Sequence, residues 1–152
     1  MVPNAPFPRV RTATLRDVPA IRGLLGQLGY DVGEEALAER VSRLMGNDGH
    51  LLLVATGDRD KPVGLLHAFR RDAIEKPPQV TVQSLVVDAS ARRLGLARAL
   101  MEAAEDWAAT MGVAELGLST RIDRAQAHAF YESIGYARVS TAHQYAKAQE
   151  CV

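Results

Sequence analysis

The chain has 152 residues, 47% of them apolar and 24% charged, which suits one soluble domain large enough for a proper core. Eighteen basic residues balance eighteen acidic ones, so no global field favours nucleic acid or an anionic membrane surface, and any anion binding has to be local. The one cysteine, Cys151, has no partner for an internal disulfide, and no Cys/His spacing suggests a zinc site. Residues 1–8 carry three prolines and read as a flexible lead-in rather than a signal peptide. No apolar run approaches the roughly 18 residues that a bilayer demands, so a cytoplasmic protein that engages neither membrane nor nucleic acid is expected.

Arg9 to Thr14 alternates polar and apolar residues and predicts a first strand. Thr14, with Asp17 three residues on, has the spacing of a capping box. Val18, Ile21, Leu25 and Leu28 then recur at helical spacing until Gly29. Glu34 to Met45 predicts a second helix with Leu37, Val41 and Leu44 as its stripe and Gly46 as its stop. His50 to Thr56 and Pro62 to Phe69 are apolar runs joined by a polar turn, a hairpin pattern. Glu75 to Pro78 breaks the chain before an apolar strand, Val80 to Val87. A long helix follows from Leu96 to Met111, with Leu96, Leu100, Ala104, Trp107 and Met111 on one face. Ala114 to Thr120 predicts a strand parallel to Val80–Val87, reached by a helical crossover. Asp123 opens a last helix with Ala127, Phe130, Tyr131 and Ile134 at i, i+3, i+4 and i+7, ended by Gly135. Tyr136 to Tyr145 predicts a final strand.

The junction after Val87 is where chemistry is first legible. The opening turn of a helix has backbone N–H groups without intrahelical partners, and the macrodipole adds positive potential there. Gly95 removes the Cβ that a bulky phosphate would otherwise meet. Arg92, Arg93 and Arg98 add full charges. Strand, basic turn, glycine and helix together form an anion site suited to a pyrophosphate.

Two motifs resemble the GNAT superfamily of N-acetyltransferases. Arg92-x-x-Gly95-x-Ala97 is similar to the family's acetyl-CoA loop, Q/R-x-x-G-x-G/A. Ala127-His128-Ala129-Phe130-Tyr131-Glu132-Ser133-Ile134-Gly135-Tyr136 is similar to its A-x-x-F-Y-E-x-x-G-F/Y signature. They lie about 35 residues apart in the expected elements, and that combination is far more specific than either alone. The resemblance implies an α/β (α+β) fold in the order β-α-α-β-β-β-α-β-α-β. Its mixed, mostly antiparallel central sheet would be flanked by about four helices, with a splay between the parallel fourth and fifth strands. It implies one N-acetyltransferase-like domain over residues 9–147, leaving 148–152 as a tail.

The same resemblance implies a function and a site. Acetyl-CoA would be cosubstrate, with no metal, and a small-molecule amine or peptide N-terminus would be acceptor. The pyrophosphate would rest on Arg92, Arg93, Leu94, Gly95, Leu96, Ala97 and Arg98, the pantetheine arm would pair with backbone groups of Leu85 and Val87, and Val86 would complete the cofactor-binding strand end. Val86 or Val87 would offer the oxyanion a backbone N–H, Ala127 and Phe130 would wall the cofactor, and Tyr131 would be the general acid on the CoA thiolate. The acidic residue that many relatives use as base is replaced by Gln83. The base stays open among ordered water, Asp88, a histidine and loss of the proton before binding; His128 stands i,i+3 from Tyr131, a relation that packing alone also explains, and His67 and His143 are read as strand residues. The acceptor would meet the first two helices and their loop, about Gly26 to Asp48, and the hairpin edge near Arg70 to Lys76. Homodimers, often through the C-terminal strand, are common in the family.

Two other readings compete. A non-catalytic acyl-CoA-binding sensor of the same fold fits the missing acid. A nucleotide-binding domain fits poorly, because neither a P-loop lysine nor G-x-G-x-x-G spacing is present.

Overall fold

Strand β1 (Arg9–Thr12) pairs antiparallel with β2 (His50–Thr56), β2 with β3 (Pro62–Arg71), and β3 with β4 (Gln79–Val87). The sheet order is β1-β2-β3-β4-β5, and among the described residues only β5 (Leu116–Leu118) runs parallel to its neighbour. Helices α1 (Val18–Gln27) and α2 (Glu34–Met45) connect β1 to β2, and α3 (Leu96–Thr110) crosses from β4 to β5. This computed structural model describes residues 9–120 and 123–150. The chain forms two compact units, Met1–Ser119 and Thr120–Val152, and α4 (Ala125–Ser133) belongs to the second. The mixed, mostly antiparallel sheet with four helices is the expected fold class.

Alternation along the strands sends side chains to two buried faces. On one face Leu52, Val54, Leu65 and Val86 pack with Val18, Ile21, Leu24, Leu37 and Val41 of α1 and α2. On the other, α3 buries Leu96, Leu100, Met101, Ala104 and Ala108. Gly64 permits the close approach of α3, since a Cβ there would stand 3.2 Å from both Leu100 Cδ1 and Ala55 Cβ. Leu24 takes a core place on α1, whereas Leu25 and Leu28 are only partly buried. Likewise Trp107 and Met111 sit half-buried at the margin of α3, and Met101 and Ala108 fill the centre.

The link from β1 to α1 is electrostatic. Arg11 donates two hydrogen bonds to the buried Asp17, at 2.8 and 2.9 Å, and one to Asp60 at 3.1 Å. The Thr14 backbone N–H donates to the same carboxylate at 2.8 Å. The Arg11 guanidinium holds the Asp17 carboxyl below its usual range, against the opposing cost of burial. Sequence spacing identified the box, but a 3-10 turn (Leu15–Asp17) comes between it and α1.

The last expected strand is corrected. Residues 136–150 carry no strand, and Val139 and Tyr145 are more than nine-tenths exposed. A β-strand needs a ladder partner for its N–H and C=O groups, and the three-residue β5 offers little length to pair with. Residues 1–8, read as a lead-in, lie outside the described residues.

Candidate active site

Strand β4 changes character at Gln83. His67 pairs with Ser84 but Ala68 pairs with Val82, so Gln83 is an extra residue on β4 with no opposite number, a β-bulge. The parallel ladder to β5 covers only Val80, Val82 and the residue between them. Beyond the bulge, β4 therefore has β3 on one side and, among the described residues, no ladder partner on the other. A bulge bends its strand and increases twist, which is how two parallel strands are made to part. The sequence marks the place with two consecutive polar residues, Gln83 and Ser84, in an otherwise apolar run. That signal was missed in the sequence reading.

The register decides which groups face the open edge. The Asp88 N–H donates to the Val63 carbonyl at 2.8 Å, toward β3. Direction alternates along an antiparallel strand, so Val86, opposite Leu65, also directs its N–H and C=O to β3. Leu85 and Val87, opposite Leu66 and Gly64, direct theirs outward. Of the two oxyanion donors considered, only Val87 points its N–H at the open edge.

After Val87 the chain makes the basic turn. Asp88 accepts from the Ser90 N–H at 2.9 Å and the Ser90 hydroxyl at 2.6 Å, capping a 3-10 turn (Ala89–Ala91). Its other oxygen accepts from Gln27 Nε2 at 3.0 Å. Ser90 and Gln27 hold the Asp88 carboxyl below its usual range, which makes it a poor base. Arg93 (φ 66) and Gly95 (φ 76) both adopt left-handed backbone. Glycine does this freely, but for arginine the conformation costs on the order of 1–3 kcal/mol, a strain typical of ligand-gripping segments. Nothing lies within 4 Å of a Cβ built on Gly95, so the space above the turn is open.

Leu96 is buried and anchors the start of α3, while Arg92, Arg93, Leu94 and Gly95 are exposed. No side chain caps α3, and its first ladder bond is the Ala99 N–H to the Gly95 carbonyl. The N–H groups of Leu96, Ala97 and Arg98 therefore precede the ladder. The Arg98 side chain is already paired with Glu102 at 3.1 Å, so its guanidinium is committed elsewhere. Neither Arg92 nor Arg93 makes an ion pair with any described residue.

Helix α4 gathers the second motif in the other unit. Phe130 and Tyr131 contact edge to face at 5.2 Å, and Tyr131 meets Tyr136 at 6.0 Å. The Tyr136 N–H reaches back to the Tyr131 carbonyl at 2.9 Å across Gly135 (φ 99), a left-handed helix stop. Ala127, Phe130 and Tyr131 are all half-buried. Burial pushes the Tyr131 phenol above its usual value, with Arg124 pulling weakly the other way, so at neutral pH it carries its proton.

Two further groups bear on proton transfer and recognition. His50 Nδ1 and His67 Nε2 lie 3.0 Å apart, stacked between neighbouring strands. Burial, aided by His50, lowers His67 to about 4, so it is a neutral strand residue at physiological pH. At the bend between α1 and α2 a hollow of about 260 Å³ is lined by Arg22, Gly26, Gly29, Tyr30, Asp31 and Val32. Among the described residues no group of three or more His, Cys, Asp or Glu could hold a metal, and no helix is long and apolar enough to cross a membrane.

The model of the acetyltransferase (GNAT) family matches residues 20–136. Among curated proteins, an aminoglycoside N(6')-acetyltransferase type 1 from Acinetobacter genomosp. 13 is 25% identical over 107 residues, covering 68% of this chain and 73% of the relative. Among solved structures, aminoglycoside N-acetyltransferase AAC(6')-Iy in complex with CoA superposes with a TM-score of 0.85 at 21% identity. That match covers 97% of this chain and 99% of the other. The 6'-N-acetyltransferase AAC(6')-Ih from Acinetobacter baumannii superposes with a TM-score of 0.82 at 19% identity, over 93% and 99% of the two chains. These structural likenesses establish the fold.

Proposed function

We propose that this chain, which belongs to the GNAT acetyltransferase family, moves an acetyl group from acetyl-CoA to the primary amine of a small molecule. One observation carries the donor assignment. The Arg92–Gly95 turn has two left-handed residues and two arginines that make no ion pair with a described residue, and it opens a helix without a side-chain cap, one 3-10 turn after a strand whose outer edge beyond Val82 pairs with no described strand. The pyrophosphate sits on the N–H groups of Leu96, Ala97 and Arg98, where the helix dipole and Arg92 and Arg93 balance its charge. The pantetheine arm pairs with the outward groups of Leu85 and the outward carbonyl of Val87, as an added strand would.

The acceptor nitrogen attacks the thioester carbonyl and forms a tetrahedral oxyanion, which the Val87 N–H stabilises. Collapse breaks the C–S bond, and the departing thiolate takes the phenolic proton of Tyr131, which solvent later restores. Most of the acceleration comes from holding amine and thioester together in a productive geometry. Neither Asp88, held ionised by its partners, nor His67, lowered to about 4, is tuned to remove the ammonium proton near neutral pH. That proton leaves to water.

The hollow at the α1–α2 bend is the acceptor's wall, and its one cationic and one anionic side chain, Arg22 and Asp31, favour no strongly charged class. Aminoglycosides head the list of amines to try, because similar proteins act on them. The test follows free thiol released from acetyl-CoA across aminoglycosides, amino acids, polyamines and a peptide N-terminus. Amine-dependent release with acetylated product supports the proposal. CoA binding without release on any of these amines contradicts it and favours the sensor reading, for which the amide of Gln83 is the structural argument.

A further inference from the structure

We propose that Gln27, the last residue of α1, is a positioning residue for the acetyl-CoA loop and ties that loop to the acceptor hollow. Its side-chain amide makes two bonds across 61 and 62 residues of sequence. Nε2 donates to Asp88 Oδ2 at 3.0 Å, and Oε1 accepts from the Ala89 N–H at 3.1 Å. One planar group thus fixes both a carboxylate and the next backbone N–H. The other Asp88 oxygen is saturated by Ser90, so the carboxylate has its orientation set from two sides. The chain then runs through the 3-10 turn Ala89–Ala91 into the left-handed Arg93 and Gly95. A strained turn persists only where its surroundings over-determine it, and Gln27 is a side-chain constraint supplied from outside the loop, beside the Asp88–Val63 backbone bond.

The other end of the strut is the hollow. Gly26, just before Gln27, and Gly29, two residues after it, line the hollow with Tyr30 and Asp31. The α1 terminus is closed by N–H groups of Leu28 and Tyr30 donating to Leu25 and of Gly29 donating to Gly26, each at 3.0 Å. The Gln27 side chain therefore joins the loop to the segment that shapes the hollow. Binding a pyrophosphate at one end steadies the backbone that shapes the other, a coupling between two sites through one shared contact.

The inference rests on the reading of the loop as the CoA site, and the test separates the two. Calorimetric titration of the full chain with CoA comes first. Wild-type protein binds and Gly95→Glu does not; failure of wild type to bind defeats the loop reading itself. Given binding, Gln27→Ala weakens CoA about tenfold, the loss expected from one charge-assisted and one neutral hydrogen bond near the surface. Its melting temperature stays within about 2 °C of wild type, because these exposed groups contribute little to the core. Gln27→Glu is weaker still, since it sets a carboxylate against Asp88. The double variant Gln27→Glu, Asp88→Asn exchanges donor for acceptor across the same contact and recovers affinity to within about threefold of wild type. Hydrogen exchange over residues 26–32 slows on adding CoA to wild type and not to Gln27→Ala. CoA affinity of Gln27→Ala within twofold of wild type would overturn the proposal, as would failure of the double variant to recover.

Discussion

Two bends of this chain invite comparison, the β4–α3 turn around Gly95 and the α1–α2 bend around Gly29. Each turns on a left-handed glycine, at φ 76 and φ 96, and each borders open space. At the β4–α3 turn the features open to a ligand share one sign: two arginines with no ion pair to a described residue, uncapped N–H groups and the positive end of a helix, while the Asp88 carboxylate is taken up by Ser90 and Gln27. A single ligand chemistry, a multiply charged phosphate, answers all of them. At the α1–α2 bend, Arg22, Asp31 and the Tyr30 ring face one hollow, and many amines would suit it. The difference shows why a donor common to many enzymes can be read from one loop, while an acceptor particular to one enzyme cannot.

The sharpest way to break the comparison is Gly95→Glu, which places a carboxylate over the phosphate site and an L side chain at φ 76. CoA binding should fall by at least about 100-fold by calorimetry, with acceptor recognition irrelevant to the result. Next comes Tyr131→Phe, which should leave CoA affinity unchanged and lower the acetylation rate by about 10²-fold. An unchanged rate would remove Tyr131 from the mechanism. Arg93→Gly separates strain from function: relief of the left-handed arginine should raise the melting temperature by about 2–4 °C while CoA binding weakens several-fold.

A separate effect, on stability alone, concerns the histidine pair, away from both bends. The folded state holds His67 at about 4 against an ordinary 6.5, so the unfolded chain binds this proton first as pH falls. The stability is intact above about pH 6.5 and is lost progressively down to about pH 4. Solvent around the half-buried ring reduces the loss to roughly 2 kcal/mol. His67→Gln should flatten the melting temperature over that interval without changing CoA affinity, and an unaltered profile would contradict the assignment.

Much of the fold was legible because its signals were local. Glu34–Met45 and His50–Thr56 begin and end where the sequence says, since Gly46 and Gly57 supply the stops. The basic turn and its helix were legible for the same reason. What escaped depends on long-range pairing. The bulge at Gln83 is defined by its partners on β3, and the outward direction of Val87 by the Asp88–Val63 bond. Gln27 is an unremarkable surface glutamine until folding brings it to Asp88. The misread strand at Tyr136–Tyr145 makes the converse point: its residues have strand character, but no ladder pairs with them.

The central claim is that the Arg92–Gly95 turn holds the pyrophosphate of acetyl-CoA. Calorimetric titration of the wild-type chain with acetyl-CoA and with S-acetylpantetheine, which lacks every phosphate, tests it directly. The account predicts that acetyl-CoA binds and that S-acetylpantetheine binds at least about 100-fold more weakly, with the gap narrowing as salt is raised. Equal affinity for the two compounds would contradict it.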